Sequence, residues 1–162
     1  MARRREQALA FPAEPGYPPI HAAVEHRVGF SEVDPMRIVW FGRYAVFFEQ
    51  ASAELRDRCG LSNEDFFRAG IQPPIVRYEV EYFRPSRLDE KLKIVARMHG
   101  TEAARMNTSY QVFGPGGDLR VAARTVQMFW NIGTETACIV PPPIWRECLR
   151  RWRNGEWACL QG

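Results

Sequence analysis

Apolar side chains at Tyr44, Phe48, Ala51, Leu55 and Cys59 recur in steps of four, three, four and four residues. That spacing keeps them on one face of a 3.6-residue helix. Arg43, Glu49, Gln50, Glu54, Arg56, Asp57 and Arg58 fill the other face, and Gly60 follows as a left-handed stop. This is the longest helical pattern in the chain and predicts its central helix. Elsewhere the pattern alternates. Val24, His26, Val28 and Phe30 stand against Glu25, Arg27 and Gly29, which predicts a half-buried first strand. Ser62, followed by Asn63-Glu64-Asp65, caps a short helix that ends at Gly70. Residues 75–84, 88–99, 104–113 and 119–131 predict four more strands, with Gly114-Pro115-Gly116-Gly117-Asp118 as a strong turn. After Pro141-Pro142-Pro143, Ile144, Trp145, Cys148, Leu149 and Trp152 share a face of a last helix.

The order is strand, long helix, short helix, then four strands on short connections. It predicts an α+β fold in which an antiparallel five-stranded sheet packs against a long central helix. One helix of this length cannot cover both faces of such a sheet, so pairing with a second copy is expected. Residues 1–20 hold three consecutive arginines and four prolines and predict a tail or an arm on the surface. Residues 21–153 form one domain, and 154–162 read as a loose end.

Composition narrows the class. At 162 residues and 46% apolar, with ten Phe, the chain is long enough for one well-packed domain. A net charge of +3, spread along the chain, gives no nucleic-acid footprint. Cys59, Cys138, Cys148 and Cys159 form no C-x-x-C pair and no metal-ligand spacing, so reduced thiols in a cytoplasmic protein are expected. The basic N-terminus lacks the apolar core of a signal peptide, and no stretch nears the ~20 apolar residues of a membrane span.

Candidate chemistry is sparse. There is no G-x-S-x-G elbow, P-loop, strand-following G-x-G-x-x-G or H-E-x-x-H. His21, His26 and His99 lie in the tail and in strands and read as surface or strand residues. Asp34 stands out, between a strand and the central helix. There, backbone N–H groups of the first helical turn lack partners and the helix dipole favours negative charge. A carbonyl oxygen that becomes an oxyanion could be stabilised at this point, with a carboxylate nearby as nucleophile or as general base on water. A plain turn aspartate before proline is the other reading of the same residue.

The stretch V-x-F-x-x-V-D-P-x-x-I-V-W-F-x-x-Y, from Val28 to Tyr44, resembles the signature of the 4-hydroxybenzoyl-CoA thioesterase family of hotdog-fold proteins. FFEQASAELRDRCGL resembles that family's helix, and PPIVRYEVEYFRPSRLDEKL its following strand pair; the likeness spans roughly residues 24–145. It implies a hotdog fold, a homodimer or homotetramer, and an acyl-CoA substrate whose pantetheine arm threads between subunits. It assigns Asp34 as the catalytic carboxylate and the Phe41 backbone N–H as a polariser of the thioester carbonyl. It implies neither a metal nor an organic cofactor.

Two departures from the family bear on the substrate. Glycine is frequent two residues after the proline, and this chain has Arg37. Such a cation could hold Asp34 ionised, stand in the substrate entrance or bind phosphate. The 4-hydroxybenzoyl-CoA enzyme also carries a basic cluster between the third and fourth strands for the nucleotide of CoA; here GTEAARMN holds Arg105 alone. An acyl carrier protein is therefore an alternative to CoA. Glu49 is a second carboxylate on the central helix that could face the same cavity. Trp40, Phe41, Phe47 and Phe48 could line an acyl pocket or belong to the core, and Trp40 and Tyr44 are expected to shape the acyl end. Arg146, Arg150, Arg151 and Arg153 read as a solvated face. The expected activity is hydrolysis of an acyl thioester. A non-catalytic acyl-thioester-binding protein is the alternative, and dehydration of a 3-hydroxyacyl thioester ranks last for want of a histidine in the signature.

Overall fold

The computed structural model describes residue 9 and residues 11–161; the arginine run at 3–5 lies outside them. In chain order the elements are β1 (Ile20–Arg27), α1 (Tyr44–Arg58), α2 (Asn63–Arg68), β2 (Ile71–Gln72), β3 (Ile75–Tyr82), β4 (Lys91–His99), β5 (Arg105–Phe113), β6 (Leu119–Met128), β7 (Trp130–Asn131), β8 (Thr136–Ala137) and α3 (Pro143–Arg153). Short 3-10 turns occupy Phe30–Glu32, Phe41–Arg43 and Ala158–Leu160. The main sheet is antiparallel, in the order β1-β4-β5-β6-β3, and it curls around α1.

The predicted stripe of α1 is buried, and it is wider than the spacing alone implies. Phe47, Phe48, Ala51, Ser52, Leu55 and Arg56 are all enclosed. Pairs at successive turns are covered because a curved sheet reaches further round the helix than a flat one. Arg56, expected on the solvated face, is therefore buried, and its Nη1 donates to Asn63 Oδ1 at 2.8 Å across the turn from α1 to α2. The facing sheet residues keep strict alternation: Ala22, Val24, Leu92, Ile94, Ala96, Met98, Tyr110, Val112, Val121 and Ala123 close the core. Ser62 caps α2 with a reciprocal bond to Asp65, and Gly60 and Gly70 both adopt positive φ, as their stop positions require.

Four expectations shift. The first strand ends at Arg27, because Gly29 starts a 3-10 turn that leaves Phe30 exposed. The fifth strand breaks at Phe129, whose carbonyl accepts the Cys138 N–H, and Trp130–Asn131 joins β2 and β8 in a second, three-stranded sheet. The N-terminal segment is an arm held in place: Glu14 accepts from Thr101 Oγ1 at 2.5 Å, and buried Tyr17 packs edge-on against Trp152. The C-terminal residues are packed rather than loose, with Trp157 and Leu160 buried and Arg151 paired to Glu156.

Candidate active site

The loop that carries Asp34 is a small hairpin. Val33 and Val39 pair across its base, the Asp34 N–H donates to Ile38 O, and the Arg37 N–H closes a four-residue turn onto Asp34 O. Asp and Pro suit the first two positions of such a turn. The last residue of the turn then takes a left-handed conformation to rejoin the ladder, and Arg37 does so with φ of 61°. This is the physical reason a glycine suits that position. The Met36 N–H donates to Asp34 Oδ1 at 2.8 Å. Among the described residues Oδ2 receives no donor, so the carboxylate is oriented with one oxygen free.

The chain then passes Val39, whose N–H donates to Ser86 O at 2.8 Å, and enters the Phe41–Arg43 turn that leads into α1. Among the described residues the Phe41 N–H has no acceptor, as expected for the first donor of a helical segment. Gly42 allows the Trp40 ring to fold back close to it: a Cβ there would lie 2.4 Å from two ring carbons. Asp34, Phe41 and Tyr44 line one cavity of about 390 Å³ together with Met36, Tyr82 and Arg84.

Tyr82 and Arg84 were not singled out from the sequence, and neither was Ser86, which lies behind the cavity wall. The Tyr82 hydroxyl donates to the Phe41 carbonyl at 3.1 Å and so fixes the peptide that follows the candidate oxyanion donor. Arg84 brings a cation to the cavity, tied only loosely to Asp118 at 3.8 Å. Ser86 is fully buried beside the Tyr44 phenol without a well-formed hydrogen bond from its hydroxyl. Burial raises the Tyr44 pKa against the smaller opposing effect of Ser86, so Tyr44 stays a neutral phenol at the cavity wall.

The other candidates lie elsewhere. Arg37 is exposed and does not line the cavity. Trp40 is 51% exposed and stacks on the Phe41 ring instead. Glu49 lines a second cavity of about 190 Å³ with Ser52, Arg56, Tyr78 and Gln127. Five residues along a helix rotate a side chain by about 140° from Tyr44, enough to turn Glu49 away from the first cavity. Arg105 starts β5 opposite Met128, while Tyr82 pairs with Val121. Seven strand residues separate those two points, roughly 23 Å, so one chain does not bring Arg105 to Asp34. Among the described residues no three His, Cys, Asp or Glu side chains gather as a metal site.

A five-stranded antiparallel sheet rolled around one long helix, with the cavity at that helix's N-terminal end, defines the hotdog fold. The chain belongs to the thioesterase-like superfamily, whose family model matches residues 28–152. It is 21% identical over 121 residues to the 1,4-dihydroxy-2-naphthoyl-CoA hydrolase of Thermosynechococcus vestitus, covering 74% of this chain and 83% of that protein. Its fold superposes on a DHNA-CoA thioesterase from Staphylococcus aureus with a TM-score of 0.74 at 23% identity, over 85% of this chain and 93% of the other. A second Staphylococcus aureus protein, of hypothetical function and solved in complex with CoA, gives 0.73 at 12% identity, over 90% and 87%. At these identities the structural likeness speaks for the fold alone.

Proposed function

We propose that the chain hydrolyses an acyl-CoA thioester to the free acid and CoA, with Asp34 as the reacting carboxylate. The observation that carries this reading is that Asp34 and Phe41, whose N–H has no acceptor among the described residues, line the same cavity. The thioester carbonyl oxygen accepts from the Phe41 N–H, whose contribution as the oxyanion forms is of order 2.7–4 kcal/mol for one donor. The free Asp34 oxygen either attacks the carbonyl carbon, expelling CoA thiolate and leaving an anhydride that water cleaves, or takes the proton from an attacking water. Tyr44 and Tyr82 form the aromatic side of the cavity. Together with the narrower resemblance to 4-hydroxybenzoyl-CoA thioesterases, they favour an aromatic acyl group over a straight chain. The naphthoyl-CoA hydrolase among the relatives supports the same choice. The exposed edge strand β3 supports assembly as a homodimer or a pair of dimers.

The test is thiol release from aryl-, short- and long-chain acyl-CoAs, with wild type beside Asp34→Asn. We expect turnover to fall about 10²–10⁴-fold in the variant with its melting temperature retained. Equal rates in the two proteins would remove Asp34 from the mechanism. Tight acyl-CoA binding without release would make the chain a binding protein, and release only from acylated carrier protein would change the carrier.

A further inference from the structure

Glu32 is the buried acid nearest in sequence to Asp34, and the mechanism above does not use it. It is 7% exposed and does not line the cavity. Its Oε2 meets His26 Nε2 at 2.7 Å and accepts the Gly29 N–H at 2.8 Å. Its Oε1 accepts from Arg43 Nε at 3.3 Å, and its backbone carbonyl accepts the Trp40 N–H at 3.0 Å. Burial by itself would raise the Glu32 pKa, but the hydrogen bonds from His26, Gly29 and Arg43 outweigh it and hold the carboxylate ionised.

These four bonds reach four different places. His26 stands on β1 with its ring against Phe47 of α1, at 4.4 Å between centroids. Gly29 opens the 3-10 turn, Arg43 closes the turn that presents Phe41, and Trp40 is the residue just before Phe41. Asp34 follows Glu32 by two residues, past the Val33 bridge that starts the hairpin. The two halves of the site therefore hang from one residue: the Asp34 carboxylate follows it in the chain, and the segment that carries the Phe41 N–H is tied at Trp40 to the Glu32 backbone carbonyl and at Arg43 to the Glu32 side chain.

We propose that Glu32, clamped by His26 and Arg43, is a positioning residue that sets the separation of Asp34 from the Phe41 N–H. This rests on the hydrolase reading above. The clamp touches no substrate and acts through the two groups that do. A shift of about 1 Å between reacting groups is enough to cost on the order of 10²-fold in rate, so loss of the clamp registers in turnover rather than in binding.

Arg43 is the member to remove, because its side chain is 39% exposed and its loss leaves the core intact. Wild type, Asp34→Asn, Arg43→Met, Arg43→Lys and Glu32→Gln are compared by steady-state thiol release per folded molecule, with thermal melts alongside. Arg43→Met and Glu32→Gln are expected to lower kcat roughly 10–100-fold with KM within about threefold. Arg43→Lys restores a cation to a single-point contact and should recover most of the rate. Should Glu32→Gln fail to fold, Arg43→Met and its lysine rescue decide the matter alone. The clamp is overturned by kcat within about twofold of wild type in Arg43→Met, by a change confined to KM, or by a loss of rate that lysine does not restore. A wild type that releases no thiol, or an Asp34→Asn variant as fast as wild type, instead sinks the hydrolase reading and takes the clamp with it.

Discussion

At the scale of single residues, His99 shows how burial sets a charge. It ends β4 on the face of the sheet away from α1, under the ring of Phe11 at 5.3 Å. Its Nε2 meets Ser109 Oγ at 2.8 Å, while Nδ1 is buried without a partner. Burial, with a smaller contribution from Arg97, pushes its pKa down to about 4. The unfolded imidazole takes up a proton near 6.5. Between those values the unfolded chain binds a proton that the folded chain refuses. The stability associated with neutral His99 is therefore complete above about pH 6.5, declines as pH falls, and has lost about 3 kcal/mol by pH 4. Urea unfolding of wild type and His99→Gln at pH 7 and pH 4.5 checks this. Wild type should lose more stability between the two than the variant, and parallel losses would assign the acid sensitivity to carboxylates instead.

At the scale of elements, periodicity revealed what it encodes and missed what depends on neighbours. The α1 stripe, the capped α2 and the five main strands were legible because each follows from spacing within one segment. Two-residue strands β2, β7 and β8 carry no period to detect. The proposed pair, Asp34 and the Phe41 N–H, came from the signature, since both lie in one loop and turn. Tyr82 and Arg84 reach that cavity, and Ser86 the chain behind its wall, from about forty-five residues away, and only sheet closure brings them there. Glu32 was invisible for a different reason: an acid between Ser31 and Val33 looks solvated until its partners are placed around it. Arg56 is the same error on a helix. Its burial, and its bond to Asn63, tie the end of α1 to the start of α2. Replacing it with alanine should cost about 1.5–3 kcal/mol by denaturant titration, since a charged hydrogen bond is lost from an enclosed position. A truly solvated arginine would cost no more than ~0.5 kcal/mol, and a value in that range would return Arg56 to the surface.

At the scale of the whole molecule, β3 and β1 are the two edge strands of the main sheet, and β3 is the one that borders the cavity. It lies at one end of the sheet order, and its outer backbone edge is unpaired among the described residues. Ile75 and Val76 are 58% and 56% exposed, and Tyr78 and Tyr82 are half exposed on the same strand. Natural edge strands are usually guarded by charge, proline or a bulge. Here Pro73-Pro74 precedes the strand, a register shift falls between Ile75 and Arg77, and the strand carries Arg77, Glu79 and Glu81, of which Arg77 and Glu79 are already paired within the chain. The cavity opens on the same side, since Tyr82 belongs to both, and Phe41 beside it is 65% exposed. In the proposed dimer, a second copy laid on this edge would cover the apolar strand and close the cavity in one step, and turnover would then depend on assembly. Val76→Lys tests the link. The residue is exposed, so the lysine should leave the fold and its melting temperature nearly unchanged while placing two like charges near each other across a two-fold contact. Light scattering should show wild type as a dimer or tetramer and the variant shifted toward smaller species. Acyl-CoA turnover should fall with the dissociated fraction and recover as protein concentration rises. A wild type that is monomeric and fully active would mean that each chain completes its own site; a variant that dissociates without losing turnover would uncouple closure of the cavity from the β3 edge.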